Sequence, residues 1–238
     1  MYIDTMMKIR LDLALLLSNY LYIGKKLEID AARRFCPELK GKILDIGCGT
    51  KPFKSLLDKD SLYIGMEYSG LTQRPDLFGD ANRLPFKDMS FDGVLLNEVI
   101  EHMPDPSKGI EEAYRVLKKD GKLFLTAPMY WRLHYAPQDY FRFTQYGLRH
   151  ILTKGNFQVL RMERMGGFFS IVFLRLIDIF VTKILFPLMG LLFIRRGKYR
   201  LAALLMSPFS FIGYCLGRLL DNIDNDDAFL FSALAVKR

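Results

Sequence analysis

Ile43-Leu44-Asp45-Ile46-Gly47-Cys48-Gly49-Thr50 reads as a short apolar strand that carries an acid near its end and turns through two glycines toward a helix. Gly47 and Gly49 let the backbone bend sharply and leave no side chain between it and a ligand. A dinucleotide fingerprint would place a third glycine at position 52, where Pro52 stands. No Gly-Lys-Ser/Thr follows, so the turn is not a triphosphate-binding loop either. It suits a nucleoside without a pyrophosphate, with Asp45 able to pair with a cationic amino group. Two glycines taken alone mark only a turn.

Working outward, the pattern alternates strand and helix. Lys42–Ile46 is a first strand, Lys51–Asp58 a short helix opened by Pro52, Ser61–Met66 a second strand, and Asp76–Phe78 a brief third. Phe91–Leu96 is a fourth strand. Pro106–Leu117 is a helix with Ile110, Ala113, Tyr114 and Leu117 on one face, stopped by Lys118-Lys119-Asp120-Gly121. Lys122–Ala127 is a fifth strand halted by Pro128, Tyr146–Thr153 a helix, and Phe157–Met162 a sixth strand. Ala228–Val236 is strand-like and is expected to return to the same sheet as an edge strand. This alternation predicts an α/β fold, a Rossmann-like, mostly parallel sheet of seven strands with helices on both faces.

Upstream, Ile9, Leu13, Leu16, Leu17, Tyr20 and Leu27 recur mostly at helical steps, so residues 6–35 are expected to be helical, with Pro37 ending the run. The whole chain of 238 residues fits a single domain. Its expected parts are an N-terminal helical cap over 1–39, a ligand-binding core over 40–163, a hydrophobic helical insertion over 164–222 and a terminal strand over 223–238. Cys36, Cys48 and Cys215 are far apart, which argues against a disulfide framework or a zinc site and for a reducing compartment. Leu13–Leu17 is too short an apolar run for a secretory signal, and Asp4 and Asp12 precede it. The expected location is cytoplasmic, peripheral on the inner face of the membrane.

Glu67 closes the second strand twenty residues after Gly47, where a carboxylate can accept from both hydroxyls of a ribose. In Gly79-Asp80-Ala81, Asp80 can accept from the exocyclic amine of adenine, with Ala81 and Leu84 flanking the ring. Asn97 and Glu98 follow the fourth strand on the side where open α/β sheets bind ligands. Asp45 to Gly49, Glu67, Asp80-Ala81, Leu84-Pro85-Phe86, Phe91-Asp92 and Glu98-Val99-Ile100-Glu101-His102 together resemble class I S-adenosylmethionine-dependent methyltransferases. The resemblance is to the small-molecule branch and is methyltransferase type 11-like. It covers about residues 40–163, and the strand at 228–236 fits that family's antiparallel last strand. It implies S-adenosylmethionine as cofactor, with Asp45, Gly47, Cys48 and Gly49 at its methionine part, Glu67 at the ribose, Asp80 and Ala81 at the adenine, and Asn97 lining the pocket. The compressed stretch Leu71–Asp80 departs from the family pattern and shortens the third strand.

Methyl transfer is an in-line displacement at an activated sulfonium, so the protein chiefly aligns the reactants and supplies a base where the acceptor must lose a proton. His102 and His134 are the candidate bases, with Asp139 and Tyr140 behind them. His102 reads equally as a histidine that starts a helix, and no residue is assigned to a metal. The stretch Trp131–Thr144 mixes rings with hydrogen-bonding groups, as an acceptor pocket does, or as an aromatic lid over the cofactor does. Asp139-Tyr140-Phe141-Arg142-Phe143-Thr144 resembles methyltransferases of bacterial surface-polysaccharide and glycolipid pathways. The expected acceptor is small or lipid-linked, with a saccharide hydroxyl first, a quinone or lipid second, and a catalytically inactive cofactor-binding membrane adaptor as the alternative of another class.

The charge supports the lipid. Residues 168–220 carry Arg175, Lys183, Arg195, Arg196, Lys198, Arg200 and Arg218 against Asp178, which is six of the chain's eight net positive charges. These bases are interleaved with Phe168-Phe169, Ile184-Leu185-Phe186, Leu191-Leu192-Phe193 and Leu204-Leu205-Met206. Basic and oily together describe a surface that lies on anionic lipid; a buried cap or dimer face and a membrane span are the alternatives. Against a span, Leu201–Gly217 offers only seventeen uncharged residues, interrupted by Pro208 and two glycines. A nucleic-acid partner is not expected, because no polar groove with stacking rings accompanies the charge.

Overall fold

The computed structural model describes residues 12–68, 75–192 and 197–238. The expected helix start at residue 6, the opening of the Leu71–Asp80 stretch, and Phe193, Arg195 and Arg196 lie outside them. The chain divides into two compact units, Asp30–Met165 with Leu230–Arg238, and residues 12–29 with Gly166–Phe229.

The first unit is a seven-stranded sheet. Its strands are β1 (Lys42–Ile46), β2 (Leu62–Glu67), β3 (Leu77–Phe78), β4 (Phe91–Asn97), β5 (Leu117–Pro128), β6 (Phe157–Met165) and β7 (Leu230–Lys237). The order is β3-β2-β1-β4-β5-β7-β6. The first five strands pair in parallel, and β7 runs antiparallel to both β5 and β6. The last strand is therefore not an edge, because it is inserted between β5 and β6 and leaves β6 outermost. Ile43, Leu44 and Ile46 of β1 and Val94, Leu95 and Leu96 of β4 are buried. Such unbroken apolar runs belong to strands covered on both faces. Order reverses between β1 and β4, which makes their carboxyl ends the crevice where sheets of this kind bind ligands.

Helix α1 (Tyr22–Phe35) ends in this unit, where Phe35 stacks on Phe124 with ring centroids 5.1 Å apart. Helix α2 (Pro106–Val116) starts on Asp105, whose carboxylate accepts from the Lys108 N–H at 3.1 Å, and Pro106 takes the position that needs no donor. Its Arg115 donates to the carbonyls of Leu84 and Phe86 and to Glu112 and Asp88, while Glu112 accepts from the Leu84 N–H. That network fixes the Leu84-Pro85-Phe86 corner. Helix α3 (Gln145–Lys154) is capped by the Thr144 hydroxyl, which accepts from the Gly147 N–H at 3.1 Å.

Two expectations fail here for local reasons. Lys51–Asp58 forms only a 3-10 turn at Lys54–Leu56. Lys51 takes a left-handed φ of 59°, so no helix can start from it. Lys118-Lys119-Asp120-Gly121 does stop α2 but belongs to β5. The pairing with β4 jumps from Phe91↔Leu117 to Gly93↔Lys122, so these residues form an irregular entry into the strand with Asp120 at φ 60°.

The second unit is helical. Residues 12–18 are helical, and the chain turns before α1, which shortens the single helix expected over 6–35. Helix α4 (Phe168–Ile179) passes through a π-helical turn, Phe180–Leu185, into α5 (Phe186–Leu191), and α6 (Lys198–Leu220) follows. Pro208 and the glycines of α6 do not interrupt it. A Cβ on Gly213 would stand 2.8 Å from Phe173 Cβ, and one on Gly217 would collide with Ser170 Oγ, so the glycines let α4 and α6 approach closely. Asp221 accepts from the Ser170 N–H at 3.0 Å and from its hydroxyl at 2.6 Å, which caps the first turn of α4. Lys26 pairs with Asp12 at 3.6 Å and lies over the Tyr214 ring.

Candidate active site

The turn after β1 is pinned to β2, with the N–H groups of Gly47 and Cys48 both donating to the Met66 carbonyl, at 2.9 and 3.1 Å. Gly47 and Gly49 have φ of 71° and 49°. The two are needed for different reasons. A Cβ on Gly47 would run into Val99 Cγ2 and stand 3.2 Å from its Cγ1, so this glycine makes room for the segment after β4. Among the described residues a Cβ on Gly49 would meet nothing within 4 Å, so Gly49 alone of the pair faces open space there. Cys48 is buried, and burial pushes its thiol up to about 11, which keeps it an unreactive filler.

Asp45 is 3% exposed and accepts from the Tyr63 hydroxyl at 2.5 Å. Burial raises its carboxyl to about 7, against the pull of the Tyr63 donor and with Glu67 adding to the rise. Glu67, at the end of β2, accepts from the Gly49 N–H at 3.0 Å and from the Tyr68 N–H at 3.2 Å, one on each oxygen. Asp80 is exposed. Its Oδ1 accepts from the Asn82 N–H at 2.8 Å, an Asx turn that holds the carboxylate beside Ala81. Asn97 ends β4, and its Oδ1 accepts from the Thr126 hydroxyl at 2.8 Å.

These residues fit S-adenosylmethionine. Open space lies beside Gly49 within reach of Glu67, whose carboxylate is already aimed by two backbone donors and keeps lone pairs for ribose hydroxyls. The half-exposed end of β4 carries the Asn97 amide next along the crevice. Glu67→Ala should therefore weaken binding of S-adenosylhomocysteine by about 1.5–3 kcal/mol, roughly 10- to 150-fold, by removing charge-assisted hydrogen bonds. Calorimetry showing unchanged affinity would remove Glu67 from the pocket.

After β4 the backbone is strained. Glu98 has φ of 51°, and its N–H reaches the Thr126 hydroxyl at 3.1 Å. The strain throws Ile100–His102 into a 3-10 turn that buries Glu101 completely. Among the described residues neither carboxylate oxygen of Glu101 has a hydrogen-bond partner. Burial, then the charge of nearby Glu98, pushes its carboxyl well above the usual range. Beside it, His102 Nδ1 is 2.5 Å from the Gln138 carbonyl and Nε2 is 3.7 Å from Glu101 Oε1. The His102 and His134 rings meet edge to face at 4.7 Å, and Tyr135 packs on both.

The loop after β5 holds His134 in place. Arg142 grips both oxygens of Asp139 at 2.7 and 2.9 Å and also donates to the carbonyls of Trp131, Arg132 and Phe141. Asp139 accepts from the His134 N–H at 2.9 Å and lies 3.2 Å from its Nδ1. The Arg142 guanidinium holds the Asp139 carboxyl well below the usual range, so Asp139 orients His134 and is no base. Burial pulls the His134 imidazole down despite Asp139. Tyr140 reaches the cluster through its backbone only, its N–H donating to the Glu101 carbonyl at 2.9 Å, and its ring lies against Phe141. Of the four catalytic candidates, His102, His134 and Asp139 are brought together and the Tyr140 side chain is not joined to them. Sequence reading missed Tyr63, Glu101 and Arg142. Glu101 gave a signal, an acid beside a histidine inside an apolar run.

A family model described as a methyltransferase domain matches residues 44–125. An uncharacterised protein of Methanocaldococcus jannaschii is 39% identical over 107 residues, 42% of this chain and 50% of its own length. A demethylmenaquinone methyltransferase of Renibacterium salmoninarum is 37% identical over 92 residues, 34% of this chain and 39% of its own. The chain thus spans half or less of these curated relatives. Among solved structures, phosphoethanolamine N-methyltransferase 2 of Haemonchus contortus in complex with S-adenosyl-L-methionine aligns at TM-score 0.54 and 20% identity. It covers 88% of this chain and 52% of that one. Residues 44–125 thus match a methyltransferase domain model, and the fold is shared with a solved methyltransferase.

Proposed function

We propose that this protein transfers the methyl group of S-adenosylmethionine to an oxygen of a lipid-linked acceptor at an anionic membrane surface. In that reaction the protein's own groups hold the cofactor at Gly49, Glu67 and Asp80. When bound, S-adenosylmethionine would supply an activated methyl group with a neutral thioether as leaving group, and the His102–His134 edge would accept the proton of the acceptor oxygen. Asp139 and Arg142 act behind His134 as positioning residues.

The observation that carries the membrane reading is the extent of large apolar surface exposed on the helical unit. Ser170, Asp178, Ser207, Ser210 and Asp221 are buried there, while Leu176, Ile184, Leu191, Leu204, Phe209 and Ile212 are about half exposed or more. Large apolar residues exposed over an interior that also holds polar ones suit helices in contact with lipid, where tails solvate leucine as well as a core does. Helix α6, at 23 residues, is long and apolar enough by length and composition to cross a bilayer. The bases Lys183, Lys198, Arg200 and Arg218, interleaved with apolar residues along the sequence, favour an interfacial position on anionic headgroups.

The demethylmenaquinone methyltransferase relative supports a second acceptor class, a quinone ring on an isoprenoid tail. Tritiated S-adenosylmethionine incubated with the protein and a membrane extract is expected to label material that partitions into organic solvent. The mass of that product separates glycolipid from quinone. Label confined to the aqueous phase would overturn the lipid-linked acceptor, and tight cofactor binding with no transfer in any extract would favour the adaptor. The protein is expected to sediment with anionic vesicles at low salt and to be partly released at high salt. Finding it in the supernatant at low salt would rule out the surface.

A further inference from the structure

The Glu101–His102–His134 cluster contains a feature that methyl transfer does not call for. Glu101 is wholly buried, and a carboxylate in that position is ordinarily matched by donors. Among the described residues neither of its oxygens is. The nearest groups are imidazoles: His102 Nε2 stands 3.7 Å from Oε1, and the ligand atoms of Glu101, His102 and His134 all lie within 4.8 Å of one another. We infer that Glu101, His102 and His134 form a binding site for a divalent transition-metal cation, whose binding would occupy the histidine lone pairs that take the acceptor proton in the metal-free chain.

Three further observations agree with a metal. First, Nδ1 of His102 is taken by the Gln138 carbonyl, which fixes the proton on that nitrogen and turns the lone pair of Nε2 toward Glu101. Second, the Asp139 carboxylate lies 3.2 Å from His134 Nδ1 and is itself locked by Arg142. A hydrogen-bonded carbonyl or carboxylate is the usual outer support of metal-binding imidazoles; His102 has one, and His134 Nδ1 has the Asp139 charge beside it without a hydrogen bond. Third, the charges acting on Glu101 are two acids, Glu98 and Asp139, against the single cation Arg142, a balance that a dication would offset. Ligands at about 2.0–2.2 Å from a tetrahedral metal lie about 3.3–3.6 Å apart, so atoms now within 4.8 Å of one another close on a metal by side-chain rotations that move them about 1–1.5 Å. Two imidazoles and one carboxylate favour zinc, iron, cobalt or nickel over magnesium or calcium, and leave positions open for an oxygen of a bound molecule.

Cobalt(II) alone is the probe. The metal-stripped chain titrated with Co²⁺ should develop visible d–d absorption that saturates at one equivalent and is displaced by Zn²⁺. Glu101→Gln and His134→Ala should each weaken Co²⁺ binding at least tenfold, with S-adenosylhomocysteine affinity retained as the sign of an intact fold. His102→Ala serves if either variant does not fold. His150→Ala removes the one histidine outside the cluster, on α3, and should bind as the unaltered chain does. No saturable band with the unaltered chain, or equal bands in all variants, would overturn the site. The result does not depend on whether any methyl group is transferred, so it fails separately from the reading above.

Discussion

At pH 8, Asp45→Asn is expected to melt well above the unaltered chain while binding S-adenosylmethionine at least tenfold more weakly. Asp45 is almost wholly buried, and burial lifts its carboxyl to about 7, whereas in the unfolded chain an aspartate titrates near 3.9. Below pH 4 both states hold the proton and the residue costs nothing. As pH climbs from about 4 through 7, the unfolded chain releases its proton and the folded chain keeps it, so stability is lost over that window. Above pH 7 the loss is complete. Linkage sets it at about 1.5 kcal/mol at pH 5 and about 4 kcal/mol at pH 8. The amide carries no charge and still accepts from the Tyr63 hydroxyl, so it escapes the loss. At roughly 2–4 °C per kcal/mol for a chain of this length, the gap in melting temperature should be several degrees at pH 5 and about twice that or more at pH 8. Parallel melting curves across that range would mean that the Asp45 charge is solvated. An acid that destabilises its own fold at neutral pH makes sense at a site where a ligand brings the missing cation.

The parts of this chain that were legible in the sequence are those where one residue's surroundings follow from its own strand. β1 and β4 are apolar on both faces, so their runs announced a covered parallel sheet. Asp45, Glu67, Asp80 and Asn97 lie at or near the carboxyl ends of β1 to β4, as their places after or late in each apolar run suggest. The missed residues depend on registers and loops. Tyr63 reaches Asp45 because Asp45 pairs with Gly65, which has no side chain, and Tyr63 is the diagonal neighbour two residues back on β2. Nothing in either strand's composition states that register. Glu101 meets His134 only because Arg142 and Asp139 fold the loop between β5 and α3 back onto the turn after β4, a pairing across more than thirty residues. The short helix expected after β1 fails for the opposite reason. Its spacing was right, but the left-handed backbone at Lys51 is a demand of the glycine turn before it, not of the helix pattern.

Alanine at Gly47 and at Gly49 should separate the structural glycine from the ligand-facing one. At Gly47 the new methyl group would overlap Val99 while the backbone sits at φ 71°. A left-handed non-glycine residue costs about 1–2 kcal/mol, and overpacking a filled site adds about 1–3 kcal/mol. Val99 has little freedom to yield, because Glu98 before it is already strained and its N–H is tied to Thr126. Gly47→Ala is therefore expected to lose about 2–5 kcal/mol of stability, a fall in melting temperature of roughly 5–15 °C. At Gly49 the methyl group enters open space, so only the backbone term remains, about 1–2 kcal/mol. The same methyl group points to where the cofactor is placed, and S-adenosylhomocysteine affinity in Gly49→Ala should fall at least tenfold at a temperature where the chain is fully folded. Calorimetry and thermal melts on the two variants read both quantities. If Gly49→Ala binds as tightly as the unaltered chain, the space beside Gly49 does not hold the ligand. If Gly47→Ala is as stable as its parent, Val99 has a second place to go and the turn is softer than its geometry implies.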